Sequence, residues 1–299
     1  LDFHGEVKSG MRVADFAAIV VSATDGIDIG TELSWEYAEK DFRIPKLFIV
    51  NMVDKDQADF ESVLSAIQER YGRTVFPFTL PIDEGPGFSK VADVLRKETF
   101  SFKTDGSGDY SEGDPEGEWT QRLDDLHNEL IELIAESDEK LMELFFENGE
   151  LSEEELRGGL HQALMSHGLI PVFCVSGETN IGVKRMMDIL ARYAPCAGDF
   201  EKVEGTKPGT SEEISHGPSV DDPLAALVFK TISEEHIGEM SFFRVYSGKV
   251  NAGDDLANTS RNNSEKMRQI YFMNGKNRKD AAQLIAGDIG AALKLKNTH

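Results

Sequence analysis

The feature that most restricts this chain's fold is the alternation of short apolar runs with amphipathic segments over residues 11–100. Phe16-Ala17-Ala18-Ile19-Val20-Val21 is apolar throughout, as a strand buried on both faces must be. TELSWEYAEKD (31–41) sets Leu33, Tyr37 and the Trp35/Ala38 pair at helical spacing. IPKLFIVN (44–51) reads as a second strand, with Pro45 at its start where no ladder N–H is needed. DQADFESVLSAIQERYG gathers Phe60, Val63, Leu64 and Ile67 on one helical face and stops at Gly72. TVFPFTLPI (74–82) reads as a third strand. Strand–helix–strand alternation predicts a parallel sheet covered on both faces.

Residues 104–156 interrupt this pattern, with nineteen acids against two basic residues, Arg122 and Lys140. DGSGDYSEGDPEGE reads as a turn-rich loop. The stretch from Trp119 then spaces Leu123, Leu126, Leu130, Ile131, Ile134, Leu141, Leu144 and Phe145 three and four apart, which predicts helices with a solvated acidic face. Ser152-x-x-Glu155 is a capping-box pattern opening a further helix. LIPVFCVSGETNIGV returns to strand, loop and helix. Residues 198–221 are rich in Gly, Pro, Ser and charge without periodicity, and are expected to be a linker. Beyond 222, short strands punctuated by Gly, Asn and Asp predict a small antiparallel barrel.

The 299 residues are enough for two cores. No apolar run approaches a membrane span, and no signal-peptide pattern opens the chain. It begins mid-pattern without Met, which suggests a piece of something longer. Two cysteines, Cys174 and Cys196, suit a reducing cytoplasm and are expected to be small buried side chains. A net charge of −23 argues against general nucleic-acid binding, and no DNA partner is expected. The charge is unevenly spread: residues 222–299 hold 11 Lys+Arg against 9 Asp+Glu, the remainder 20 against 45. Arg261, Lys266, Arg268, Lys276, Arg278 and Lys279 cluster in the barrel.

Two strand ends carry candidate chemistry. Leu47-Phe48-Ile49-Val50 stops at Asn51-Met52-Val53-Asp54, and VFCV stops at Ser176-Gly177. Proteins that read guanine carry Asn-Lys-x-Asp at such a position. A carboxylate there accepts from guanine N1–H and N2–H, donors that adenine does not offer. Asn and Asp are also ordinary turn formers after a strand, and no Gly-x4-Gly-Lys-[Ser/Thr] phosphate loop occurs in the chain.

The collinear set is more specific than either motif. LDFHGEVKSGMRVADFAAIVVSATDGI, GTELSWEYA, NMVDKDQADF, GELSEEELRGGLHQAL, ALVFKTISEEHIGEMSFFRVYSGKVNAGD and AGDIGAALKLKNTH together resemble elongation factor G, the translational GTPase, over nearly the whole chain. The resemblance implies a partial parallel-sheet G domain of the P-loop NTPase type, residues 1–200, with a helical insert at 104–168. A linker at 201–221 and a β-barrel at 222–299 follow. It implies GTP or GDP with magnesium as cofactors and the ribosome as partner, with ribosomal RNA met by the barrel. It assigns Asn51 to loop bracing, Asp54 to the base, and Ser176 and Gly177 to the loop that meets guanine O6. Met52 stands where the family has Lys, and Gly177 where it usually has Ala. Catalytic residues and magnesium ligands are expected to lie outside this chain, so hydrolysis by it alone is not expected. Other readings stay open: a non-hydrolysing ribosome-binding paralogue, a ribosomal protection protein, a release-factor-three-type GTPase, or an acidic adaptor.

Overall fold

The computed structural model describes residues 2–148, 151–200, 202–207, 209–234 and 238–298. Gly149–Glu150 and Glu235–Ile237, which belong to two of the family-like segments, lie outside the described residues. The chain divides into two compact units. One is Phe16–Pro195; the other joins Asp2–Asp15 to the chain from Cys196 onward. The opening helix α1 (His4–Met11) therefore groups with the second unit, although a linear reading places residues 1–200 together.

The first unit is built on a four-stranded parallel sheet. Its strands are β1 (Ala17–Ser22), β2 (Lys46–Asn51) and β3 (Val75–Pro77), with β8 (Ile170–Cys174) entering between β2 and β3, so the order is β1-β2-β8-β3. The register aligns Ser22 with Asn51 and Val50 with Cys174, so three strands end at one level. Helix α2 (Ile29–Glu36) starts on a capping box in which the Asp28 carboxylate accepts from the Thr31 N–H at 2.7 Å. One π-helical turn, Tyr37–Asp41, closes it. In α3 (Phe60–Tyr71) the expected face, Phe60, Val63, Leu64 and Ile67, is buried, and Gly72 ends the helix at φ +103°. Trp35, Phe48 and Tyr71 stack against one another, with the Trp35 and Tyr71 centroids 4.3 Å apart.

TVFPFTLPI is two strands rather than one. Pro77 cannot donate to a ladder, and the chain changes sheets at the next residue. The Phe78 N–H donates to Val172 of the parallel sheet at 2.8 Å, while its carbonyl accepts from Val94 at 3.0 Å. β4 (Thr79–Pro81) then opens an antiparallel sheet with β5 (Lys90–Asp93), β6 (Glu98–Phe102) and β7 (Tyr110–Gly113), in that order. β7 replaces part of the expected loop. Tyr110 packs at 5.0 Å from Phe100 and 5.2 Å from Phe102, a contact that a helical count does not reveal. The insert thus begins with a strand, and α4 (Glu118–Glu136), α5 (Glu139–Asn148) and α6 (Glu153–Met165) follow it. Leu123, Leu130, Ile131 and Ile134 are buried, and Ser152 and Glu155 form the expected capping box. α7 (Val183–Tyr193) completes the unit.

In the second unit the expected linker contains a hairpin, β9 (Val203–Thr206) against β10 (Glu213–His216), closed by a Lys207 N–H to Glu212 carbonyl bond of 2.9 Å. Its strands are four residues each, too short for periodicity to register. β11 (Ala225–Glu234) and β12 (Gly238–Ser247) pair antiparallel. Two ribbons follow: β13 (Lys249–Asn251) pairs with β18 (Gln283–Ile285), and β14 (Asp255–Asn258) with β15 (Asn263–Lys266). β16 (Ile270–Asn274), β17 (Asn277–Ala281) and β19 (Ile289–Leu293) join β11 and β12 in a five-stranded sheet of order β11-β12-β19-β16-β17. Phe243, Val245, Val250, Met267, Ile270, Leu284 and Ala292 form its core, the barrel-like arrangement expected of this segment. Helix α1 buries no side chain of its own. Polar ties hold its segment: Arg244 forks onto the Val13 carbonyl and the Asp15 carboxylate, both at 2.6 Å, and Lys230 pairs with Glu6.

Cys174 is buried as expected, but Cys196 is exposed, because it opens a short 3-10 turn. Among the described residues no helix is long and apolar enough to cross a membrane.

Candidate functional site

Parallel strands present their carboxyl-terminal loops on one edge, where ligands of such sheets bind. Here the loop after β2 and the loop after β8 are laced together. The Val175 N–H donates to the Val50 carbonyl at 2.9 Å, and the Gly177 N–H to Asn51 Oδ1 at 2.9 Å. Val53 adds a longer bond to the Val175 carbonyl at 3.4 Å, and the Gly85 N–H holds the Val53 carbonyl at 2.8 Å. Asn51 thus ties the two loops together. The Gly177 N–H, expected to meet a base oxygen, is donated to Asn51 in this structure.

Ser176 is fully buried, and its backbone exchanges hydrogen bonds with Ile181 at 2.9 and 3.1 Å. The turn out of this loop requires Gly182: its φ is +79°, and a Cβ there would lie 2.6 Å from the Cys174 carbonyl oxygen. Gly177 is different. A Cβ there would sit 3.5 Å from Asn51 Oδ1, ordinary contact, so an alanine fits.

Asp54 carries the site's charge. Burial pushes its carboxyl up most strongly. The Ser176 hydroxyl, its own backbone N–H and the Lys55 ammonium together outweigh this and hold it below the usual aspartate range. It is ionised at neutral pH. Lys55 Nζ lies 3.4 Å from Asp54 Oδ2, whereas Oδ1 is buried and has no hydrogen-bond partner. A buried carboxylate oxygen left open is costly unless a donor arrives, so this atom points to a ligand N–H.

Met52 is in the left-handed region at φ +70°, 37% exposed, with its sulfur 3.9 Å from Ser22 Oγ. A thioether can pack on a flat ring but donates no hydrogen bond. Two further residues belong to this edge: Lys55, which from sequence is a neighbour of the motif not assumed to replace its missing Lys, and Glu178, which was not singled out from sequence. Lys55 donates to Glu178 Oε2 at 2.6 Å, joining the two loops across 123 positions of sequence. The only available signal was opposite charge immediately beside each motif.

The six basic residues of the second unit divide between two hairpins and a loop. Arg261 and Lys266 lie on the β14–β15 ribbon, where Lys266 approaches Asp255 at 3.7 Å. Arg268 follows β15. Lys276, Arg278 and Lys279 lie on the β16–β17 hairpin, where Lys279 is opposite the exposed Phe272 and the Arg278 guanidinium is 5.6 Å from the Tyr271 ring centre. A cavity of about 980 Å3 also lies in this unit, lined by β9, β11 and β14. Size alone does not make it the chemical site; the unpartnered oxygen of the ionised Asp54 is at the β2 and β8 loops.

Residues 1–196 match the elongation factor Tu GTP binding domain family, and residues 223–299 match elongation factor G domain 2. Among solved structures, the crystal structure of a protein from Thermus thermophilus superposes with a TM-score of 0.84 at 27% identity. The match covers 100% of this chain and 41% of that protein, so the chain spans about two fifths of that protein's length.

Proposed function

Since the chain belongs to the translational GTPases of the elongation factor Tu and G type, we propose that its β2 and β8 loops are the base-reading half of a GTP/GDP site. The protein containing it would be an elongation-factor-G-like factor that promotes translocation on the ribosome. The observation carrying the nucleotide reading is the Asp54 carboxylate, ionised at neutral pH, with one buried oxygen unpartnered. Guanine brings two adjacent donors, N1–H and N2–H, to such a carboxylate. Adenine brings an acceptor at N1 and would leave Asp54 unsatisfied. The roles proposed are Asp54 for recognition, Asn51, Ser176 and Gly177 for positioning, and Met52 for packing on the ring.

Phosphate binding and hydrolysis are assigned to residues other than these. Among the described residues no group of three or more His, Cys, Asp or Glu is placed to hold a metal. The ribosome is proposed to meet the second unit through the cations of its hairpins and the exposed Phe272, a flat side chain suited to stacking on a base.

The test is titration of the intact protein with GDP and with ADP, for wild type and Asp54→Ala. A charge-assisted contact of about 1.5–3 kcal/mol corresponds to roughly tenfold to over a hundredfold in dissociation constant. Wild type should prefer GDP by that order, and the variant should lose the preference. Equal binding of both nucleotides by wild type would overturn the reading.

A further inference from the structure

We propose that Lys55 and Glu178 form a clasp over the base site that sets how long a bound base stays without setting which base is chosen. The inference rests on the guanine reading above. Two side-chain ties join the two loops: Asn51 to Gly177 at 2.9 Å and Lys55 to Glu178 at 2.6 Å. The first lies within the site. The second is outside it, with Lys55 37% and Glu178 73% exposed on their side chains. Of the two it is the one made by opposite charges, so it is the one that weakens when salt is raised.

Lys55 is also shared. Its ammonium is 2.6 Å from Glu178 and 3.4 Å from Asp54 Oδ2. A base that takes both carboxylate oxygens must displace Lys55 from Asp54, and Glu178 is then the partner that receives it. The clasp tightens as the site fills. Base choice stays with Asp54, because discrimination depends on donors meeting that carboxylate, and Lys55 reads no base atom.

The measurement is release of fluorescent GDP from the intact protein by stopped flow, for Lys55→Ala, Glu178→Ala, the double variant and Lys55→Arg, at low and high salt. Exposed ion pairs are modest, so each alanine variant should speed release by up to about fivefold at low salt. The double variant should be no faster than either single one, Lys55→Arg should stay close to wild type, and high salt should erase the differences. GDP-over-ADP preference should be unchanged throughout. Multiplying effects in the double variant, or no change in either single variant, would overturn the clasp. A different signature marks failure of the underlying reading: wild type without guanine preference. Amide exchange at Gly177 gives a nucleotide-free check. Its protection should fall in Lys55→Ala, and unchanged protection would count against the clasp even if guanine preference holds.

Discussion

Replacing Arg244 with Met should release the opening segment of the chain from the second unit while leaving the β12–β19 ladder in place. Arg244 is 4% exposed and makes two short charge-assisted bonds, to the Val13 carbonyl and to Asp15 Oδ1. Each such bond contributes about 1.5–3 kcal/mol. The Asp15 side chain is 26% exposed and can recover water, which lowers its share. Together they give about 2–4 kcal/mol of attachment, roughly thirtyfold to several hundredfold in the opening equilibrium of the segment. The other attachments are lighter. α1 buries no side chain, and its segment's further ties include the Tyr246 hydroxyl on the Arg12 carbonyl at 3.2 Å and the Lys230–Glu6 pair. Met preserves the stem's packing, so the change isolates the guanidinium. Arg244→Lys should fall between, because one ammonium cannot reproduce the planar fork. Hydrogen exchange of peptides covering residues 2–15 in the intact protein is the assay. Protection there should drop by the stated factor and change little in β12 and β19. Unchanged exchange in 2–15 would refute the argument, as would a uniform loss across the unit.

Three other outcomes are expected. His167 accepts from the buried Lys46 ammonium at 3.2 Å, and burial first, then that ammonium, hold its pKa below 6.5. Native His167 resists protonation, so stability should be full above about pH 6.5 and be lost as pH falls through the lowered native value; urea midpoints for His167→Gln should show a flatter dependence over that window. Met52→Lys should tighten GDP about tenfold to a hundredfold in calorimetric titration while keeping the preference over ADP, and unchanged affinity would mean the position contributes no contact. Charge reversal at Arg268 and Lys276 should weaken ribosome binding and flatten its salt dependence, whereas an unchanged slope would make these cations a solvated face.

The parallel sheet was legible because β1 and β2 are continuous apolar runs, although β1, at the edge of the sheet, is buried on one face only and leaves Val20 58% exposed; α3 was legible because its apolar face repeats over three turns. What stayed hidden was short and long-range. β7 depends on Tyr110 meeting Phe100 and Phe102, and β9 and β10 on each other; in neither case does a four-residue strand announce its partner. Attachment of Asp2–Asp15 to the second unit rests on Arg244, more than two hundred positions away. The candidate site divided in the same way. Asn51, Asp54, Ser176 and Gly177 could be picked out because each follows an apolar run. The pairing of Lys55 with Glu178 could not, because its meaning lies in a distance of 2.6 Å between loops.

The position of Phe78 has a consequence for engineering. One residue is spliced into both sheets of the first unit, its N–H serving Val172 and its carbonyl serving Val94. The acidic helices therefore cannot be excised as a detachable cassette at the loop boundaries. The α4–α6 excursion is reached through an antiparallel sheet whose first strand begins two residues after the parallel sheet's β3 ends, at Pro77 and Thr79. A deletion that removes this sheet leaves a buried carbonyl at Phe78 without its donor. A deletion confined to the helices retains the splice and instead strips the Val94 carbonyl of the His127 ring of α4, which lies 2.9 Å from it. A viable excision has to keep β4 to β7 and resurface them, which makes the insert part of the domain's architecture and not cargo carried on it.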